Sequence, residues 1–399
     1  MFTRIQMERY ADVLIWGLKA ARTKRYKKND VILMRYDPAA LNLAEILQAK
    51  ILNMGLNPVL RVTSTVQMDL NFFELANNRQ LVFHPPGEEE FYKNLNGSIY
   101  LNAPDSLTHL GHIDPKRISK TAIARKPMKD LLFKREERGQ FGWTLCMLPT
   151  PEPARQAGLT MKQYTSQVVK ACYLNKKDPV SEWKTIFRNA ISIKKWINSM
   201  DVRHFIVESS NTDLMITPGK KRKWIGISGH NIPSFELFIS PDWRGTTGFY
   251  FADQPSYRNG NYVENVMLEF KKGRAVGINA KTGENFLRKQ LTMDEGAARI
   301  GEFSLTDKRF SKINRFMANT LYDENFGGRY GNCHLAVGSS YSDTYDGDPS
   351  KLTGKRKTEL GFNDSALHWD LVNTEKKTVT AHLISGKKKI IYENGMFKY

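Results

Sequence analysis

Asp30-Val31-Ile32-Leu33-Met34-Arg35-Tyr36 is a short apolar run flanked by charge. It is followed by an amphipathic helical pattern over residues 38–54 and a second strand-like run, Pro58-Val59-Leu60-Arg61-Val62-Thr63. Strand, helix and strand in that order predict a parallel βαβ unit. The pattern continues with strands at Ser98-Ile99-Tyr100-Leu101-Asn102 and Trp143-Thr144-Leu145-Cys146-Met147-Leu148, separated by helical segments. Residues 1–200 are therefore expected to form an α/β domain with a mostly parallel sheet. They contain neither a Gly-x-Gly-x-x-Gly nor a Gly-Lys-Ser/Thr phosphate loop, so the expected role is structural, dimer-forming or substrate-shaping.

Residues 161–200 read as mostly helical, with Asp178-Pro179 starting one helix. Beyond residue 200 the character changes. Short strands are expected at 205–208, 214–216 and 224–227, and at 379–384 and 389–392. A hairpin is expected across Lys271-Lys272-Gly273-Arg274, and Asn394-Gly395 is a tight-turn dipeptide. A helix is expected over 293–300. Residues 201–399 thus read as an α+β domain with mixed or antiparallel sheet, and the boundary falls near residue 200. The sequence contains no internal repeat.

A length of 399 residues suits two cores better than one, and 41% apolar residues can fill them. No apolar run approaches the roughly 20 residues of a membrane span, and the charged first ten residues lack the apolar stretch of a signal peptide. Cys146, Cys172 and Cys333 lie far apart without a Cys-x-x-Cys pair. These features predict a cytoplasmic protein with no membrane partner. The net charge of +19 would suit a nucleic-acid binder. However, its lysines and arginines come in short scattered runs such as Lys24-Arg25-Tyr26-Lys27-Lys28 and Lys220-Lys221-Arg222-Lys223, without a recognition motif. No specific nucleic-acid partner is expected.

The residues able to do chemistry concentrate in the second half. In Gly361-Phe362-Asn363-Asp364-Ser365-Ala366-Leu367-His368-Trp369-Asp370, an imidazole and a carboxylate stand two apart, so a strand would project them from one face. Neutral imidazole beside carboxylate suits zinc, cobalt or manganese. Glu324 and His334 flank a loop whose three glycines permit unusual backbone conformations. Glu236 and Glu302 sit among apolar neighbours, where a carboxylate is costly unless paired or bound to a cation. Each of these features alone is more often an ordinary surface pair, turn or salt bridge. Cys333 lacks a placed base, and His84, His109, His112, His204, His230 and His382 show no ligand spacing.

Taken in order, Asn231-Ile232-Pro233-Ser234-Phe235-Glu236, Gly301-Glu302, Leu321-Tyr322-Asp323-Glu324-Asn325, Cys333-His334-Leu335-Ala336-Val337-Gly338 with Tyr341, and the stretch 363–370 resemble the aminopeptidase T and aminopeptidase S family of metallo-aminopeptidases. The resemblance implies Glu236, Glu302, His334, His368 and Asp370 as ligands of two divalent ions (zinc, cobalt, manganese or magnesium). It also implies Glu324 and Tyr341 as catalytic groups, and a homodimer acting on peptides with a free N-terminus. Two cations about 3.5–4 Å apart would share a water and hold it as hydroxide. Glu324 would move the proton, and Tyr341 would donate to the oxyanion. The sequence departs from the family at Phe235, where a second acidic residue is usual, and in a longer loop between Glu324 and His334. The rival expectations are a non-enzymatic basic protein binding polyanions, or a catalytically impaired aminopeptidase relative.

Overall fold

The run Val31–Tyr36 forms β1, with Ile32, Leu33 and Met34 buried, in a computed structural model that describes residues 2–399. The helix that follows, Leu41–Asn53, buries Leu43, Ala44, Leu47 and Ile51. The spacing of Leu43, Leu47 and Ile51 keeps them on one helical face. Burying a leucine fully contributes roughly 1.5–3 kcal/mol, so this face is what holds the crossover on the sheet. β2 (Asn57–Val62), β3 (Leu95–Asn102) and β4 (Gly142–Met147) complete the expected parallel arrangement. A fifth strand, β5 (Asn231–Ile232), adds parallel to β4, giving the order β2-β1-β3-β4-β5.

The chain gathers into two units, Met1–Phe187 with Ile227–Ser234, and Arg188–Gly226 with Phe235–Tyr399. The strand β5 therefore belongs to the first unit although it lies beyond residue 200. In that unit β2 is an edge strand with Leu60 and Val62 exposed, and the next helix, Val66–Leu75, has no buried residue.

The second unit holds two antiparallel sheets. The larger has nine strands, running Ser256–Arg258, Asn261–Lys271, Thr247–Ala252, Asp213–Ile216, Val202–Glu208, Thr378–Leu383, Lys388–Glu393 and Met396–Phe397, with Arg274–Thr282 paired to Asn261–Lys271. The Lys271–Arg274 hairpin forms as expected, with Lys272 and Gly273 both at positive φ, as does the Asn394-Gly395 turn. The smaller sheet has four strands: β6 (Glu236–Ile239), β7 (Ile300–Thr306), β8 (Asn332–Gly338) and β9 (His368–Asn373), in the order β9-β8-β7-β6. It carries the candidate site.

Two expected elements are absent among the described residues. Residues 224–227 form no strand; one isolated bridge joins Ile225 to Phe238, and positive φ at Gly226 and Ile227 breaks the extended run. Residues 293–299 are turns, and the helix lies earlier, at Glu284–Leu291. Asp294 explains the difference. Its carboxylate accepts the Gly296 and Ala366 N–H groups and the Ser365 hydroxyl, so it closes a local turn in place of starting a helix. The three cysteines are buried thiols, and no helix of the described residues is long and apolar enough to cross a membrane.

Candidate metal centre

The four-stranded sheet places all five expected ligands on one face. Residues directly opposite across antiparallel strands share a face, and Ala336 of β8 lies opposite both Glu302 of β7 and Asp370 of β9. His334 is two residues from Ala336 on the same strand, and His368 is opposite Gly338. On the far side, Glu236 of β6 is opposite Thr306, four positions along β7 from Glu302 and so on the same face. Carboxylates thus flank a small alanine, and the imidazoles stand beside them. A register shift between Ile300 and Glu302 turns Glu302 toward this face. Gly301 permits it, because a Cβ there would collide with the backbone oxygens of Gly338 and Ser339.

The imidazole of His334 is the hub. Its Nε2 lies 3.0 Å from Glu302 Oε1, 3.2 Å from Glu236 Oε2 and 3.8 Å from Asp370 Oδ1. His368 Nε2 is 3.3 Å from Asp370 Oδ1 and 3.8 Å from Glu302 Oε2. The ligand atoms of Glu236, Glu302 and His334 all lie within 4.8 Å of one another. His368 Nδ1 donates to the Ser339 carbonyl at 2.8 Å, which leaves Nε2 to face the carboxylates. Ser304, opposite His334 on β7, donates its hydroxyl to Glu236 Oε2 at 2.8 Å.

Burial governs the electrostatics. Glu236 and Glu302 are 5% and 4% exposed. Burial, opposed by His334 and reinforced by Glu302, pushes the Glu236 carboxyl up to about 7. Burial, eased by His368 and reinforced by Asp370, pushes Glu302 up to about 8. At Asp370 burial acts upward, but His368, His334 and Arg258 outweigh it and hold the carboxyl well below its usual range. At His368 burial acts downward, but Asp370 and Glu302 raise its pKa. The cluster carries more carboxylate than its own imidazoles can neutralise.

The other expected residues lie close by. The ring of Tyr341 packs edge-on against His368, with centroids 4.7 Å apart, and against Phe238 at 5.9 Å. Burial raises its hydroxyl well above the ordinary tyrosine value, with Glu302, Asp370 and Glu324 acting in the same sense. Glu324 is buried at the end of the turn Thr320–Asp323, and its carbonyl accepts the Thr306 hydroxyl. Its neighbour Asn325 accepts the Phe235 N–H at 2.5 Å. That bond ties the Glu324 segment to the residue preceding Glu236. Phe235 itself is 1% exposed and packs as a core side chain. In the glycine-rich loop, Gly328 and Gly331 adopt positive φ.

The remaining histidines pair elsewhere. His84, His109 and His112 meet Glu88, Asp69 and Glu74. His230 stands between Ser228 and Glu136, and His204 stacks on His382. Burial pushes the Cys333 thiol up to about 11, a poor nucleophile. Sequence reasoning missed three neighbours of the cluster. Ser304 lies two residues from Glu302, a spacing that in a strand shares its face. Ala336 shares a face with His334 in the same way. Arg258 gives no local signal beyond a charged residue before an Asn-Gly turn.

These residues fit a divalent cation. Three carboxylate oxygens converge on one imidazole nitrogen that can offer a single proton, while His334 Nδ1 is buried with no hydrogen-bond partner among the described residues. Such crowding of acceptors is relieved by a positive ion among them, and mixed oxygen and imidazole donors suit zinc, cobalt or manganese.

Comparison with known proteins agrees with this chemistry. Aminopeptidase AmpS of Bacillus subtilis is 28% identical over 337 residues, 78% of this chain and 79% of that protein. Aminopeptidase 2 of Geobacillus stearothermophilus is 26% identical over 323 residues, 76% and 75% of the two chains. The solved structure of wild-type AmpT from Thermus thermophilus superposes with a TM-score of 0.79 over 99% of each chain at 21% identity, which shows a shared fold. The sequence pattern of the thermophilic metalloprotease (M29) family matches residues 3–397, and this chain belongs to that family.

Proposed function

We propose that this protein is a metal-dependent aminopeptidase that removes the N-terminal residue from peptides. Glu236, Glu302, His334, His368 and Asp370 are the ligands in this reading, and they hold two divalent ions. The observation that carries it is the convergence of Glu302, Glu236 and Asp370 on His334 Nε2, at 3.0, 3.2 and 3.8 Å. When bound, the ions supply Lewis acidity, which acidifies a water, polarises the scissile carbonyl and offers a seat for a free amine. Glu324 takes the proton from the attacking water and returns it to the departing amine. Tyr341 keeps its own proton, because burial holds its hydroxyl well above the usual range, and so donates a hydrogen bond to the oxygen that gains charge.

The first unit fits a role in dimer formation and in shaping substrate access. Its edge strand β2 and the following helix expose Leu60, Val62, Met68 and Leu75, an edge that a second copy would cover. A cytoplasmic location agrees with three buried thiols.

The test is elemental analysis of the purified protein, with amino-acid release measured from free and N-acetylated versions of one peptide. Two divalent ions per chain and cleavage of the free peptide alone are expected. Equal cleavage of both peptides refutes the exopeptidase reading.

A further inference from the structure

The sheet face that carries the candidate ligands is closed at one end and open at the other. Thr306, Asn332 and Val372 lie on that face beside Glu236 and His334, and all three are buried. His368, Asp370, Tyr341 and Phe238 are half-buried, so a substrate approaches the centre from their side. Phe238 stands two residues after Glu236 on β6, and strand alternation puts both side chains on the same face. It lies opposite Ser304, whose hydroxyl holds Glu236. On its other side, its N–H and carbonyl exchange hydrogen bonds with Ile225 at 2.8 and 2.9 Å. Ile225 is directly opposite in that bridge, so it shares the face, and it too is half-buried.

Tyr341 joins this apolar pair to the ligands. Its N–H donates to Ser240 Oγ at 2.8 Å, just beyond the end of β6. Its ring meets Phe238 at 5.9 Å and His368 at 4.7 Å. Ile225, Phe238 and Tyr341 thus form an apolar ledge that starts at His368 and leaves part of its area in water, where covering it with another apolar group is favourable. We propose that Phe238 is a specificity-determining residue that contacts the first side chain of the peptide, and that the ledge selects branched aliphatic and aromatic N-terminal residues over glycine, alanine and lysine. This rests on the aminopeptidase reading. There the free amine and the scissile carbonyl sit at the ligands, and one α-carbon joins them, so the first side chain departs from a point beside His368 and Tyr341. Phe238 lies roughly 7 Å along the strand from Glu236, a gap that a leucine or phenylalanine side chain fills and glycine leaves open.

The test compares wild type, Phe238→Ala and Phe238→Trp, each loaded with manganese and checked for metal content and melting temperature. The bonds of Phe238 to Ile225 are made by its backbone, so both variants keep them. Substrates are the p-nitroanilides of glycine, alanine, leucine, phenylalanine and lysine. Wild type should favour leucine and phenylalanine. Phe238→Ala should lower kcat/KM on those two about 10–100-fold and on glycine less than about threefold. Phe238→Trp, which fills the space, should turn away phenylalanine by about 10-fold while sparing alanine; this variant decides the matter if Phe238→Ala fails to fold. A residue that only props Tyr341 would slow every substrate equally. Such a uniform loss, an unchanged order of preference in both variants, or a wild type that favours glycine or lysine overturns the proposal.

Calorimetric titration with the α-aminophosphonate analogues of glycine and leucine separates this inference from the reading beneath it. Inactivity of wild type on every peptide would defeat the aminopeptidase assignment alone. The Phe238 inference then stands if wild type binds the leucine analogue at least about 10-fold more tightly than the glycine analogue and Phe238→Ala narrows that gap below about threefold. It falls if wild type binds the two alike or binds neither.

Discussion

Removing the cations with a chelator should make the protein less stable as pH rises, and restoring them should abolish the trend. Glu236 and Glu302 titrate in the fold at about 7 and about 8, against about 4.3 in an unfolded chain. A carboxyl whose folded pKa is raised keeps its proton where the unfolded chain has lost it. Its contribution to stability is therefore complete below pH ~4.3 and is lost progressively as pH climbs to the folded pKa. Between pH 5 and 8 Glu236 spans about 2 units and Glu302 about 3, and each unit corresponds to about 1.36 kcal/mol. Independent titration would cost about 7 kcal/mol in total. The two groups share one cluster, so they lose protons in coupled steps, and the loss reached by pH 8 is a few kcal/mol. His368, raised by Asp370 and Glu302, acts in the same direction, because a raised imidazole also loses stability as pH rises. Asp370 is ionised in both states across this range and adds no slope.

A few kcal/mol corresponds to roughly 6–15 °C in the melting temperature of a unit this size. The assay is thermal unfolding of chelated and manganese-loaded protein at pH 5, 6, 7 and 8. The chelated protein should melt progressively lower toward pH 8, whereas the loaded protein holds ionised ligands and should gain most there. The direction is diagnostic, because the net charge of +19 eases with rising pH, and relief of self-repulsion would stabilise. Glu302→Gln, which cannot ionise, should flatten the chelated curve and lose the benefit of metal. A chelated wild type that melts at the same temperature, or higher, at pH 8 would refute the assignment of retained protons to this cluster.

Glu324→Gln should keep its metal and lose about 10²–10⁴ in kcat, measured by peptide cleavage alongside elemental analysis. Tyr341→Phe should lose about 10²–10³ in kcat at unchanged metal content. Ser304→Ala removes the 2.8 Å hydrogen bond to Glu236 and should weaken metal retention about 10–100-fold in chelator competition. Ala336→Leu puts three further carbons between Glu302 and Asp370. It should abolish metal binding in elemental analysis while circular dichroism reports an intact fold.

The parallel sheet was legible because β1 and its helix declare themselves locally, through a short apolar run and a period of 3.6 residues. His368 and Asp370 were legible on one face for the same reason, since alternation is built into any strand. The turn at residues 293–299 was not, because its cause is Asp294 reaching Ser365 and Ala366, some seventy positions away. β5 was equally hidden: Asn231-Ile232 carries no strand pattern of its own and is extended because β4 pairs with it. The neighbours Ser304 and Ala336 depend on register, and register is set by pairing between strands distant in sequence. Arg258 depends on the packing of its strand against Trp369, which no local pattern encodes.

The same register explains why the acidic cluster does not relax. Glu236, Glu302, Ser304, His334, Ala336, His368 and Asp370 lie on one face of the four-stranded sheet. The alternate residues, Leu237, Ile239, Phe303, Leu305, Cys333, Leu335, Val337, Trp369 and Leu371, lie on the other, and none is more than 2% exposed. At roughly 2 kcal/mol for each large apolar side chain, this packing outweighs the few kcal/mol of carboxylate repulsion on the opposite face. The strands therefore cannot splay to separate Glu236 from Glu302. The repulsion can be answered only where it arises, by a proton or by a cation. A proton answers it at low pH, and at neutral pH a divalent ion would do so with its two charges. One alternating pattern thus builds the core and, on its reverse side, holds the candidate ligands together before any ion arrives.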